Sequence, residues 1–118
     1  MKKIVIIEDE PSINEMLKMM VERLGHEALV CDNGREAFSF IKKHKPDLVI
    51  LDVMLPGMDG TAIAKELGIN EETASIPIIV TSALEESKSL FSGVSQVKDF
   101  IPKPFTITKL TETINKYI

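Results

Sequence analysis

Acids close two of the apolar runs in this chain. Glu8 and Asp9 follow IVII, and Asp52 ends DLVILD before Pro56 and Gly57 break the chain. A hydroxyl, Ser82, ends a third run, PIIVTS, and an ammonium, Lys103, stands directly after a fourth, VKDFIP. If these runs are strands of one parallel sheet, their carboxyl ends point the same way. Three carboxylates, a hydroxyl and an ammonium then meet in one shallow pocket. Three carboxylates at close range repel, and at least one would be neutralised unless cations are supplied. Three negative charges against one positive leave two negative, which a single divalent cation balances. A hard, oxygen-preferring ion such as Mg²⁺ suits carboxylates, a backbone carbonyl and water, and no His or Cys among these positions points to zinc. An ionised carboxylate beside such a cation and a lysine is equipped to attack phosphorus and form an aspartyl phosphate. Asp52 is the candidate nucleophile, because the end of a central strand fixes its backbone.

The elements that must position these residues are legible as an alternation. Candidate strands are Ile4 to Ile7, Glu27 to Cys31, Asp47 to Asp52, Pro77 to Ser82 and Val97 to Ile101. The first, third and fourth are almost continuously apolar, as expected when both faces of a sheet are covered. Between them, Ile13, Met16, Leu17, Met20, Val21 and Leu24 form one helical stripe, opened by Pro11 and Ser12 and closed by Gly25. Ala37, Phe38 and Ile41 mark a second helix after an Asn33-Gly34 turn. Ile63, Ala64 and Leu67 mark a third that ends at Gly68. Leu84, Leu90, Phe91 and Val94 suggest a fourth helix, and Ile107, Leu110, Ile114 and Tyr117 a fifth. Five β-α units with right-handed crossovers make an α/β fold: a doubly wound, five-stranded parallel sheet with helices on both faces, flavodoxin-like. In such a sheet the functional site lies at the carboxyl ends of the strands.

Composition narrows the function. The 118 residues suffice for one domain, expected over 1–118 with no output domain. A balance of 14 basic against 18 acidic residues gives a net charge of -4, the wrong sign for a protein that grips phosphate backbones, so direct nucleic-acid binding is not expected. The first apolar run meets acids after four residues, too soon for a signal peptide or a membrane span, and the single Cys31 forms no internal disulfide. A cytoplasmic home without membrane partners is expected. The KKHK run from Lys42 to Lys45 reads as a solvated helix C-terminus, and His26 and His44 as surface or loop residues.

IVIIEDEP, DLVILDVMLPGMDG, IPIIVTSA and DFIPKPF, in this order and at this spacing, resemble the receiver domain of two-component response regulators across the whole chain. The resemblance implies that Asp52 accepts a phosphoryl group from a histidine kinase or phosphotransfer protein. It implies that Glu8, Asp9, Asp52 and the backbone carbonyl of Met54 hold Mg²⁺, that Ser82 bonds the phosphoryl group and that Lys103 pairs with it. Thr81 and Ser82 are adjacent hydroxyls, and strand alternation lets only one face the phosphoryl group; spacing from Pro77 selects Ser82. Phe100 takes the place of the family's switch aromatic, expected to turn inward as Ser82 moves toward the phosphoryl oxygens. Lys103-Pro104 matches a pair usually joined by a cis peptide in the family.

Other functions fit less well. A phosphohydrolase of the haloacid dehalogenase type needs an acid two residues beyond its nucleophile, where this chain has Met54. A flavodoxin-like mononucleotide binder needs a first loop rich in Ser, Thr and Gly, where this chain has EDEPS. A phosphorylation-independent interaction module would not need the full set of acids, hydroxyl and lysine. Met54 and Leu84, two residues beyond site positions, are apolar and cannot orient a hydrolytic water, which predicts a long-lived phosphoryl group. The last helix lacks an arginine-rich pattern, so nothing in the chain supports a transcription-factor role.

Overall fold

The computed structural model describes residues 1–52, 60–82, 97–102 and 105–118, the side chains of Thr61, Ser82 and Pro102 excepted. Met54, the expected fourth helix with Leu84, Leu90, Phe91 and Val94, and Lys103-Pro104 lie outside the described residues. In chain order the elements are β1 (Lys3–Ile7), α1 (Pro11–Arg23), β2 (Glu27–Cys31), α2 (Gly34–His44), β3 (Leu48–Asp52), α3 (Gly60–Ile69), β4 (Ile78–Ser82), β5 (Val97–Pro102) and α4 (Ile107–Tyr117). Every strand pairing is parallel, and the sheet order is β2-β1-β3-β4-β5. That is the expected doubly wound sheet. Its order reverses between β1 and β3, which opens a crevice at their carboxyl ends.

Alternation along the central strands divides the core in two. Val5, Ile7, Val49, Leu51, Ile78 and Val80 pack under Ala37 and Ile41 of α2 and Ile63, Ala64 and Leu67 of α3. Ile4, Ile6, Leu48, Ile50, Ile79 and Ile101 pack under Leu17, Met20 and Val21 of α1 and Leu110 and Ile114 of α4. A side chain's place in its strand therefore decides which helix pair covers it. The apolar runs at β1, β3 and β4 follow from burial on both faces.

Helix ends show where local chemistry departs from simple punctuation. Asn33-Gly34 is a helix start rather than a free turn: Asn33 Oδ1 accepts from Glu36 N at 2.9 Å and caps α2. Gly25 closes α1 at φ 88, where a left-handed residue is required. At the end of α2 that position falls to Lys45, at φ 47. Helix α3 runs through Gly68 to Ile69 instead of ending at the glycine. The buried Thr73 hydroxyl donates to Leu67 O at 2.6 Å, which satisfies a terminal carbonyl without a left-handed cap. In α4, Leu110 and Ile114 are buried as the stripe requires, but Ile107 is 60% exposed. It is the first helical residue and borders a groove of about 430 Å³ between α1 and α4, lined also by Met16, Met19 and Met20. No helix among the described residues is long and apolar enough to cross a membrane.

Candidate functional site

The site is assembled by the ends of β1 and β3. Ile7 pairs with Leu51, so the next residues, Glu8 just past β1 and Asp52 at the end of β3, follow side by side. Both are acids that follow apolar runs, Ile4 to Ile7 and Leu48 to Leu51, and both remain buried, Glu8 at 1% exposure and Asp52 at 4%. Asp9 follows on the exposed side. One carboxylate oxygen from each of Glu8, Asp9 and Asp52 lies within 4.8 Å of the others. The three acids expected to converge do so.

Backbone hydrogen bonds hold this corner. Glu8 N donates to Cys31 O at 3.1 Å, tying the β1 end to the β2 end. The Asn14 side-chain amide reaches back from α1 to Glu8 O at 3.3 Å, and Glu10 N donates to Glu8 Oε2 at 3.4 Å. Asn14 lies outside the apolar stripe, so periodicity gives no hint of its role. Glu10 O accepts from Ile13 N and Asn14 N, which starts α1 immediately beyond the acids. Two buried carboxylates beside a third make an all-oxygen, net-negative donor set, which fits a hard divalent cation.

Nearby groups complete the setting. Asp52 pairs with Thr81, a buried residue with 1% exposure. Ser82 ends β4 one residue further on, in register with Pro102. Phe100 pairs with Val80 and packs, half-buried, against the α2/α3 cluster. Asp99 Oδ1 accepts from Phe100 N at 2.8 Å, while Tyr117 OH reaches Lys98 O at 2.9 Å and Asp99 Oδ2 at 3.2 Å. Tyr117 of α4 thus clamps the strand where the β4-β5 register shifts, next to Phe100. Sequence reasoning missed this clamp; its only signal is a lone tyrosine on the α4 stripe. Burial, then the charges of Glu36 and Asp32, push the Cys31 thiol above its ordinary value. The thiol donates to Asn33 O at 3.4 Å. His26 Nδ1 accepts from Lys2 N, and His44 stacks on Phe40 with ring centroids 4.5 Å apart, so neither histidine serves the site.

The sequence over residues 4–115 matches the family model of the response regulator receiver domain. The chain belongs to that family. It is a receiver domain of two-component systems, with the fold those domains share. Among curated relatives, protein PilH of Pseudomonas aeruginosa is 33% identical over 116 residues, covering 98% of this chain and 96% of the relative. The phosphate regulon transcriptional regulatory protein PhoB of the same organism is 39% identical over 110 residues, 92% of this chain and 48% of the relative. The receiver domain therefore spans about half the length of several curated relatives it matches. Among solved structures, chemotaxis protein CheY4 of Vibrio cholerae superposes with a TM-score of 0.91 at 26% identity, over 100% of this chain and 99% of that one. Response regulator TrrA of Thermotoga maritima, solved in complex with Mg²⁺-BeF, gives a TM-score of 0.88 at 31% identity and full coverage of both chains.

Proposed function

We propose that this receiver domain is a phosphoacceptor whose Asp52 takes a phosphoryl group from the phosphohistidine of a histidine kinase or phosphotransfer protein in a Mg²⁺-dependent reaction. The observation that carries the reading is the meeting of Glu8, Asp9 and Asp52 within 4.8 Å, with Asp52 buried at the end of a central strand. Asp52 is the nucleophile. One of its oxygens attacks phosphorus, and the bond from phosphorus to the donor imidazole breaks with its electron pair left on nitrogen. Glu8, Asp9, Asp52 and the Met54 carbonyl would hold Mg²⁺, which offsets the charge of the transferring phosphoryl group when bound. The Mg²⁺-BeF complex of the T. maritima relative supports this assignment.

Lys103 pairs with the transferred group and Ser82 hydrogen-bonds to it. Phe100 then changes its packing at the β5 edge, and that change alters the surface offered to a downstream protein. Phe100 has no hydroxyl to lock an inward rotamer, so the two states differ by packing alone. Water later returns the domain to its resting state by hydrolysis of the aspartyl phosphate. The reaction proceeds in the cytoplasm, without nucleic acid bound directly.

Incubation with Mg²⁺ and acetyl phosphate tests the proposal by intact mass. Wild type gains one phosphoryl group and Asp52→Asn gains none. An undiminished adduct on Asp52→Asn would overturn the assignment.

A further inference from the structure

We infer that Asn14 is a positioning residue for the metal site: its side-chain amide fixes the Glu8-Asp9 peptide, so that the three acids stand ready for Mg²⁺ and favour it over a larger divalent cation. The inference rests on the Mg²⁺-dependent reading of the site and adds a residue that is not itself one of the proposed ligands.

Helix α1 begins differently from α2 and α4. Asn33 and Thr106 cap those two helices with their own side chains, which accept from Glu36 N and Lys109 N. The residue in that place before α1 is Glu10, and its side chain makes no capping bond. The tie comes instead from inside the helix. Asn14 Nδ2 donates to Glu8 O at 3.3 Å, and Asn14 N donates to Glu10 O at 3.0 Å. Side chains of a helix lean toward its N-terminus, so a residue one turn into α1 reaches the loop before it. Asp9 lies between the two carbonyls that Asn14 holds.

The residue type fits this task and no other that the fold sets. Asn is a poorer helix former than Glu, Leu or Lys, which occupy positions 15, 17 and 18 of the same helix. Asn14 is half-buried, yet it stands outside the stripe of Ile13, Met16 and Leu17 that packs on the sheet. Packing of α1 does not call for an amide there. The acid loop does.

Burial already places Glu8 and Asp52. Asp9 is exposed, so the placing of its carboxylate falls to the backbone. The peptide between Glu8 and Asp9 sets the direction in which the Asp9 side chain leaves the chain, and its carbonyl is the one the Asn14 amide holds. One residue earlier, Glu8 N is held by Cys31 O at 3.1 Å. The three carboxylates have oxygens within 4.8 Å of one another, and their repulsion pushes Asp9, the exposed member, outward. Asn14 opposes that drift before a cation arrives, so binding need not recover the order of the loop. The benefit depends on the ion. Mg²⁺ demands a near-ideal octahedron with short bonds, whereas Ca²⁺ accepts more ligands in a looser arrangement. A loop that opens therefore penalises Mg²⁺ more than Ca²⁺.

The test measures Kd for Mg²⁺ and for Ca²⁺ from thermal unfolding across a titration of each ion, starting in protein stripped with chelator. Wild type is compared with Asn14→Leu, which keeps the bulk, and with Asn14→Ala, which favours the helix. Both variants should bind Mg²⁺ about three- to tenfold more weakly than wild type, the range one hydrogen bond allows, while Ca²⁺ binding changes by less than about twofold. A variant that only loosened α1 would weaken both ions by the same factor. Should leucine prevent folding, as circular dichroism would report, the alanine variant alone makes the comparison. Unchanged Mg²⁺ binding in the variants, or equal weakening of Mg²⁺ and Ca²⁺, overturns the role of Asn14 and leaves the acids as the metal ligands. A wild type that gains no stability from Mg²⁺ overturns the metal reading itself.

Discussion

Neutralising one acid of the cluster should stabilise the metal-free protein, and Asp52→Asn is the sharpest perturbation. Asn keeps the shape of Asp52 and removes one of three charges whose oxygens lie within 4.8 Å of one another. Two unit charges at 4.8 Å repel by about 3.5 kcal/mol at an effective dielectric constant of about 20. Asp9 is exposed and largely screened, so the repulsion between buried Glu8 and Asp52 dominates. The expected Lys103 ammonium offsets part of it. Allowing for that attraction and for the buried amide, the gain is about 2 kcal/mol, or a Tm higher by about 8 °C for a domain of this size. Thermal unfolding in chelator, then with added Mg²⁺, is the assay. Wild type should gain about 1.4 kcal/mol at a metal concentration tenfold above its Kd, while Asp52→Asn gains less, having lost a ligand. Asp52→Asn melting below wild type in chelator, or gaining as much from Mg²⁺, would refute the argument.

Other consequences are simpler to check. Cys31 should react slowly with iodoacetamide at pH 7.5 in the folded state and quickly in denaturant, because burial and the nearby Glu36 and Asp32 charges keep it a neutral thiol. Fast alkylation of native protein would contradict this. Tyr117→Phe removes the hydroxyl that meets Lys98 O and Asp99 Oδ2 and should cost about 1 kcal/mol in urea unfolding. Loss of protection from amide exchange should centre on Lys98 to Phe100. Lys45→Gly relieves a left-handed residue at φ 47 and should raise stability by about 0.5–1 kcal/mol, read as a higher urea midpoint.

Much of this was legible from residue types, and the limits have physical causes. Ile4 to Ile7 and Leu48 to Leu51 are apolar because both sheet faces are covered, so burial marks the strands and the acid that ends each run marks the site. Parallel order and the meeting of Glu8, Asp9 and Asp52 then follow from topology. Register does not. Alternation says that Thr81 and Ser82 face opposite ways, but the pairing with β3 is what sets Thr81 beside Asp52. Helix ends were less legible for a related reason. Gly68 reads as a stop, yet Thr73 supplies the capping hydroxyl from six residues beyond Leu67. The Tyr117 clamp joins α4 to β5 across a contact that no local pattern encodes.

The central claim is that one carboxylate, Asp52, carries the phosphoryl group. Reduction of the phosphorylated domain with borohydride converts the modified aspartate to homoserine, and peptide mass mapping then locates it. The account predicts conversion at position 52 alone, dependent on Mg²⁺. Conversion at Glu8 or Asp9, or none in a protein loaded with its phosphodonor, would contradict it.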